Sequence, residues 1–383
     1  MNRIAVMHVL DALRVGGAER VAVNLANLLP GAGYETFLCT TREEGPFASL
    51  LAPEVGRLSL TRRGLLDLSA LRRLSRFIGE HDIRLLHAHG SALFFARLAT
   101  LFPPHPALIW HDHYGRYTFN DRPAWLYRAA TRRVGGVIAV NHPLAEWSRR
   151  TLGIPAGRVW YIPNLVEMPA GGRSAVELPG VPGSRIVCVA NIRPQKDHPT
   201  LLAAMTLLKT QAPQAHLLLV GDFADAAYKD SILRQIGELG LAASVSYLGR
   251  RNDVAAIIEG CDIAVLSSRS EGLPLALLEY GMSGLPAIAT NVGQCPEVLA
   301  EGAAGILVPP GSPAELAAAL LSLLGSPERR ATLGKKLRER VTAHYGAERI
   351  VAQVAEVYGQ VLSKRAGPLV SLRPMVDRPD IAP

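Results

Sequence analysis

The sequence predicts an α/β protein with two doubly wound parallel-sheet domains, on three observations. Short apolar runs rich in Val, Ile, Leu and Ala recur along the chain and read as strands buried on both faces. Most are followed by a turn and a stretch of helical periodicity, the alternation that builds a parallel sheet. Residues 168–184, rich in proline and glycine and without apolar period, interrupt this pattern, which restarts at residue 185. The expected division is a first domain over 1–167, a linker over 168–184, a second domain over 185–343, a helix over 344–363 and a disordered tail over 364–383.

Composition fits that reading. With 49% hydrophobic and 19% charged residues, the 383-residue chain has the make-up of a soluble globular protein. No apolar run reaches the ~18 residues that a membrane-spanning helix needs. Cys39, Cys188, Cys261 and Cys295 are scattered without metal-ligand spacing and read as reduced, buried thiols. The net charge of +8 is uneven: residues 1–170 hold 20 arginines, no lysine and 13 acids, a net of +7. Pairs such as Arg62-Arg63, Arg72-Arg73, Arg132-Arg133 and Arg149-Arg150 would suit an anionic membrane or a phosphorylated acceptor, and equally a solvated face. Sparse aromatics and the lack of a recognition motif argue against nucleic acid.

From the N-terminus, residues 4–10 read as a strand, with Asp11 and Arg14 interrupting what would otherwise resemble a secretion signal, so a cytoplasmic location is expected. Gly16 and Gly17 then lead into a helix over 21–29; their amides can reach an anion or a sugar, or serve only a tight turn. A strand over 36–40 precedes an amphipathic helix over 65–78, whose Arg72, Arg73 and Arg76 suit a bilayer interface or a helix packed on a sheet. The strand over 83–87 ends in His87-Ala88-His89-Gly90 before a helix over 91–100, and the strand over 107–110 runs into His111-Asp112-His113-Tyr114-Gly115. Four histidines thus collect at two strand ends. Two residues apart on a turn they need not converge, so a polar, acceptor-lining role is expected and no metal site. Helices over 123–134 and 143–152 and strands over 136–140 and 159–162 complete the domain.

The second half opens with a strand over 185–190, the loop 191–198 and a helix over 199–209. A strand over 216–220, a helix over 228–239 and a strand over 245–248 follow, the last ending in Gly249-Arg250. The organising stretch comes next: a buried strand over 262–268, then Glu271-Gly272-Leu273-Pro274-Leu275 and an apolar helical run carrying Glu279. In an open α/β sheet such a loop lies at the carboxyl end of the strand, where ligands bind. Gly272 permits close backbone approach and Pro274 fits the first helical position, so unpaired N–H groups and the positive dipole end would face an anion such as a diphosphate. Glu279, flanked by Leu277, Leu278 and Tyr280, reads as a buried carboxylate that needs a partner, such as the vicinal hydroxyls of a ribose. The plainer alternative is a helix-capping Glu271 and a salt-bridged Glu279. Strands over 287–290 and 304–308 and helices over 313–324, 328–342 and 347–363 complete the pattern, with a break at His344-Tyr345-Gly346.

These residues resemble a known family. The motifs RVGGAER at 14–20, HAHG at 87–90, ANIRPQKDH at 190–198, VGD at 220–222 and EGLPLALLE at 271–279 resemble those of the retaining glycosyltransferases of family 4, built on the two-domain Rossmann-like GT-B architecture. The likeness extends to about residue 363 and is strongest over 185–311. It implies that the second domain binds a nucleotide-diphosphate sugar and the first a glycan or lipid-linked acceptor, with reaction in the cleft and the last helices crossing back to the first domain. Carried over by residue, Arg193 and Lys196 would hold the diphosphate, the Leu273 and Leu275 amides would cap it beside Gly272, Glu279 would bind the ribose and Glu271 would face the transferred sugar. Arg250 falls where base-edge contacts lie, and Gly16 and Gly17 would approach the diphosphate or acceptor. His111 resembles the histidine that touches the donor sugar, with His113 as the alternative and His89 on the acceptor side.

The resemblance also implies retention of anomeric configuration. Two cations can neutralise a leaving diphosphate that other transferases neutralise with a metal, consistent with the lack of an Asp-x-Asp motif, so no cofactor is expected. The alternatives are a GT-B epimerase or phosphorylase and a non-catalytic nucleotide-sugar-binding protein. A dehydrogenase is disfavoured because no G-x-G-x-x-G follows a strand with an acid about 20 residues on.

Overall fold

The computed structural model describes residues 3–14, 16–114, 122–165, 176–223 and 225–366. The chain forms two compact units. Among the described residues, the first comprises those up to His113, Arg122–Tyr161 and those from Val351 onward; the second comprises Tyr114 and those between Ile162 and Ile350.

The first unit holds seven parallel strands: Ile4–Ala12 (β1), Tyr34–Glu43 (β2), Gly56–Ser59 (β3), Leu85–His89 (β4), Ala107–Asp112 (β5), Gly136–Ala139 (β6) and Val159–Tyr161 (β7). Their order is β3-β2-β1-β4-β5-β6-β7. The order reverses between β1 and β4, which makes the carboxyl ends of these two strands the topological switch point. β3 was not anticipated, because four half-exposed residues carry no apolar run. β5 runs on to Asp112, because its ladders to β4 and β6 continue past Trp110; His111 is therefore a strand residue.

Helices Gly17–Leu28 (α1), Leu68–Glu80 (α2), Leu93–Ala99 (α3), Ala124–Thr131 (α4) and His142–Glu146 (α5) pack on this sheet. α1 begins earlier than expected, with Gly16 extended at its cap. α2 begins later, at Leu68, because the Asp67 carboxylate accepts the Ala70 N–H and sets the start. Leu65 and Leu66 consequently precede the helix and are exposed.

The second unit has six parallel strands: Arg185–Val189 (β8), His216–Val220 (β9), Val245–Gly249 (β10), Ile263–Leu266 (β11), Ala287–Thr290 (β12) and Ile306–Val308 (β13), ordered β10-β9-β8-β11-β12-β13. Its switch point lies between β8 and β11. Helices His198–Leu208 (α6), Ala226–Glu238 (α7), Val254–Glu259 (α8), Leu275–Ser283 (α9), Cys295–Val298 (α10), Pro313–Leu324 (α11) and Pro327–Tyr345 (α12) surround it. α8 and α10 are too short to reveal a period. α12 packs on α9 through glycine: a Cβ on Gly281 would overlap Val341, and one on Gly334 would overlap the Gly284 carbonyl. His344 and Tyr345 belong to α12, so the break falls at Gly346.

Part of the expected linker is built into this unit. Leu178 is in its core, the Arg185 guanidinium donates to the carbonyls of Leu178, Pro179 and Gly180, and Asp262 accepts the N–H groups of Gly183 and Arg185. Proline and glycine there mark turns tied down by hydrogen bonds. Residues 168–175 lie outside the described residues.

The last helix, Ala347–Ala366 (α13), belongs to the first unit from Val351 onward, with Val354 and Tyr358 fully buried. Residues 364–366, expected in the tail, are helical; the rest of the tail, 367–383, lies outside the described residues. No helix among the described residues is long and apolar enough to cross a membrane.

Candidate functional site

Two loops meet at the switch point of the second unit. In the loop after β8, Asp197 adopts a left-handed backbone (φ 48°, ψ 49°), a conformation that a non-glycine residue holds only when its surroundings impose it. Here Arg269 Nε donates to Asp197 Oδ2 at 2.9 Å and Thr200 Oγ1 donates to the same oxygen at 2.7 Å. Burial would raise the Asp197 pKa, but these bonds outweigh it and hold the carboxyl below the ordinary aspartate value. Two more bonds stitch the loops together: the Ser267 hydroxyl donates to the Lys196 carbonyl at 2.9 Å, and the Arg269 N–H donates to the Gln195 carbonyl at 2.8 Å.

The consequence is the placement of Lys196. Its ammonium lies 2.5 Å from Glu271 Oε1, and the Ser268 hydroxyl donates to the same oxygen at 2.6 Å. Glu271 is buried; Lys196 is partly exposed. An ammonium has three N–H donors, so pairing with one carboxylate oxygen leaves donors for a second anion.

A third segment, after β12, fixes the turn into α9. The Gly272 carbonyl accepts the Gln294 N–H at 3.0 Å, and the Thr290 hydroxyl donates to the Ser268 carbonyl at 2.6 Å. Gly293 has φ 55°, and a Cβ there would overlap the Glu271 carbonyl oxygen. Only glycine fits. α9 starts at Leu275 with Pro274 at its cap, one residue later than expected, because Pro274 takes an extended conformation (ψ 103°). The Leu275 and Ala276 amides that open α9 have no carbonyl within the helix to donate to, whereas the Leu277 N–H donates to the Pro274 carbonyl at 3.0 Å.

Glu279 departs from expectation. It is half-buried: Leu277, Leu278 and Tyr280 take the core-facing positions and leave it at the margin. Its helix is nonetheless held in place, since the Tyr280 hydroxyl accepts the Val189 N–H at 2.7 Å. Arg193 is exposed at the start of the loop that carries Lys196. Arg250 is exposed at the end of the edge strand β10, and no contact among the described residues brings it to Lys196 or Glu271.

In the first unit Gly16 and Gly17 form the start of α1, and the histidines converge more closely than turn geometry implied. Register explains it: His8 pairs with His87 and His89 with His111, while i, i+2 spacing puts His87 with His89 and His111 with His113 on one face. His8 Nδ1 lies 3.0 Å from His89 Nε2, and His89 Nδ1 lies 2.9 Å from His113 Nε2. His87 Nε2 is 3.1 Å from His111 Nδ1, and His87 Nδ1 is 2.6 Å from the Tyr358 hydroxyl. Burial lowers the His8 pKa to about 3 and those of His87, His89 and His111 well below the ordinary imidazole value, so all four are neutral at pH 7. Two triplets, His8, His87, His89 and His89, His111, His113, have ligand atoms close enough to hold a metal ion. This corrects the expectation that these side chains need not meet, though binding would replace the bonds the rings make to one another.

Reasoning from the sequence missed Ser268, Asp197, Gly293, His8 and Tyr358. Ser267-Ser268 closing an apolar strand and a single histidine inside β1 were usable signals. For Tyr358, one aromatic on a helical face, nothing local pointed to a histidine 271 positions away.

A family model described as Glycosyl transferases group 1 matches residues 181–340, and one described as Glycosyltransferase Family 4 matches residues 15–168. The chain is 32% identical over 177 residues to N-acetyl-alpha-D-glucosaminyl L-malate synthase of Bacillus anthracis, covering 46% of this chain and 45% of that enzyme, so it spans less than half the length of this relative. It is 27% identical over 365 residues to phosphatidyl-myo-inositol mannosyltransferase of Mycolicibacterium smegmatis, covering 90% of each. The structure of Anabaena HepE in complex with UDP and glucose matches with a TM-score of 0.75 at 19% identity, covering 93% of this chain and 100% of that one, a likeness of fold. Two family models that together take in most of the chain, on two doubly wound parallel sheets, place it among the family 4 glycosyltransferases of GT-B architecture.

Proposed function

We propose that this protein transfers a sugar from a nucleotide-diphosphate donor to a glycan or lipid-linked acceptor of the cell envelope, with retention of configuration and without a metal. The observation that carries the proposal is the Lys196–Glu271 pair, set just ahead of the N-terminus of α9 at the switch point of the second unit. Lys196 and Arg193 supply positive charge, and the first amides of α9 supply fixed dipoles, where a departing diphosphate would gather negative charge. In this reading Glu271 accepts from hydroxyls of the transferred sugar, Glu279 from the ribose, and Arg250 is the candidate for base contact. On the family resemblance, His111 or its neighbour His113 is the candidate contact to the sugar, and Gly16, Gly17 and His89 are the acceptor-side candidates.

In the reaction the bond from the anomeric carbon to the diphosphate oxygen breaks, and its electron pair leaves with the diphosphate. The acceptor hydroxyl oxygen bonds to the anomeric carbon on the same face, and its proton passes to the departing phosphate oxygen. The relatives support an envelope acceptor: one is named for phosphatidyl-myo-inositol and another for a diphosphoundecaprenol-linked sugar. Exposed Leu65, Leu66 and Leu68, at 45%, 74% and 55%, beside exposed Arg63, Arg72 and Arg76 support peripheral contact with an anionic membrane.

The test is a two-stage assay. Calorimetry with UDP and GDP identifies the nucleotide, and NMR of the product formed from the matching sugar donor reads transfer and anomeric configuration. Binding without turnover on any acceptor would favour a nucleotide-sugar-binding protein, and an inverted product would exclude the same-face reaction.

A further inference from the structure

We infer that Tyr358 and His87 act as positioning residues that fix the tautomer of His111, so that His111 presents Nε2–H as a hydrogen-bond donor to a substrate oxygen. The inference follows from counting protons along a buried chain. Tyr358 is fully buried, and His87 Nδ1, 2.6 Å away, is the hydrogen-bond partner of its hydroxyl among the described residues. A buried O–H that merely accepted from His87 would leave its own proton unbonded, at a substantial cost. The hydroxyl therefore donates, and His87 Nδ1 accepts.

His87 is neutral, because burial and the neighbouring imidazoles disfavour its charged form, so its one ring proton sits on Nε2. That N–H donates to His111 Nδ1 across 3.1 Å. His111 is neutral for the same reasons and, accepting at Nδ1, must carry its proton on Nε2. Nε2 of His111 is buried and has no hydrogen-bond partner among the described residues. A neutral N–H left over at the end of a satisfied chain is a donor awaiting an acceptor, here a hydroxyl or phosphate oxygen of the substrate. The opposite tautomer would present a lone pair and repel that oxygen.

The role of the substrate oxygen rests on the transferase reading; the tautomer does not. In protein labelled with 15N-histidine, long-range proton–nitrogen correlation spectra, with His111 assigned by its loss in His111→Gln, should show His111 protonated at Nε2 and unprotonated at Nδ1. In Tyr358→Phe that preference should weaken to a mixture while the unfolding temperature stays within a few degrees. Turnover should fall about tenfold, the scale of one misdirected neutral hydrogen bond, with the donor KM changed less. His87→Gln, whose carboxamide can still donate to His111 Nδ1, should retain turnover within a few-fold, whereas His87→Leu should lose it. A His111 protonated at Nδ1, or Tyr358→Phe with unchanged spectra and turnover, overturns the inference. So would equal losses in His87→Gln and His87→Leu, the pattern of a purely structural role. A wild-type protein with the expected tautomer and no transfer activity would instead sink the transferase reading and leave the relay intact.

Discussion

Lys196 and Glu271 lie 75 residues apart in sequence and 2.5 Å apart in space, a cation and a carboxylate held by separate loops at the carboxyl ends of β8 and β11. Each has its own support, the left-handed Asp197 next to Lys196 and the Ser268 hydroxyl on Glu271. Two charges fixed before any ligand arrives need little reorganisation when charge develops beside them.

Replacing Lys196 by Ala should therefore lower turnover by about 10²- to 10³-fold, the scale of one lost electrostatic contact to a developing anion. The fold should persist, because Lys196 is partly exposed and packs in no core. Steady-state transfer assays alongside circular dichroism would check this, and near-normal turnover would remove the electrostatic account.

Gly293→Ala adds one methyl group against the Glu271 carbonyl oxygen at a backbone angle that costs a non-glycine residue about 1–2 kcal/mol. The turn into α9 must shift, so nucleotide affinity and turnover should fall together by more than tenfold, with a loss of stability on the order of 2 kcal/mol. Calorimetric titration with the nucleotide and urea unfolding measure both. A variant equal to wild type in affinity would show that this turn does not shape the site.

The histidine cluster makes stability depend on pH, and the sign follows from depressed pKa values. In the unfolded chain each imidazole takes up a proton near pH 6.5, whereas in the folded protein burial keeps His8 neutral down to about pH 3 and His87, His89 and His111 well below the ordinary value. The unfolded state thus binds more protons in this window, and stability, complete above pH 6.5, falls with acidification by up to about 1.4 kcal/mol per pH unit for each such group. Unfolding temperature should drop steeply between pH 6.5 and 5. A flat profile there would contradict the buried, neutral cluster.

Leu66→Glu places a charge on the most exposed of the leucines before α2 without touching the core. Co-sedimentation with vesicles rich in anionic phospholipid should fall several-fold relative to wild type, while transfer to a water-soluble acceptor stays unchanged. Equal binding of both proteins to anionic and zwitterionic vesicles would remove this surface from consideration.

Much of this protein was legible in the chain itself. Apolar runs alternating with helical periods specify parallel sheets, because a strand covered on both faces must be apolar throughout, and the restart at residue 185 marks a second sheet. The glycine and proline of Glu271-Gly272-Leu273-Pro274 announce a turn at a helix start, since few other residues allow one. What stayed hidden depends on contacts between residues distant in sequence. The start of α2 is set by one carboxylate on one amide, and Glu279 is half-buried because its neighbours take the core-facing positions. The ion pair of Lys196 with Glu271, the overlap that forbids a side chain at Gly293, and the line from Tyr358 through His87 to His111 exist only once strand register and helix packing bring those atoms together. A local pattern reports how a segment folds; which proton faces which lone pair is decided by the tertiary structure.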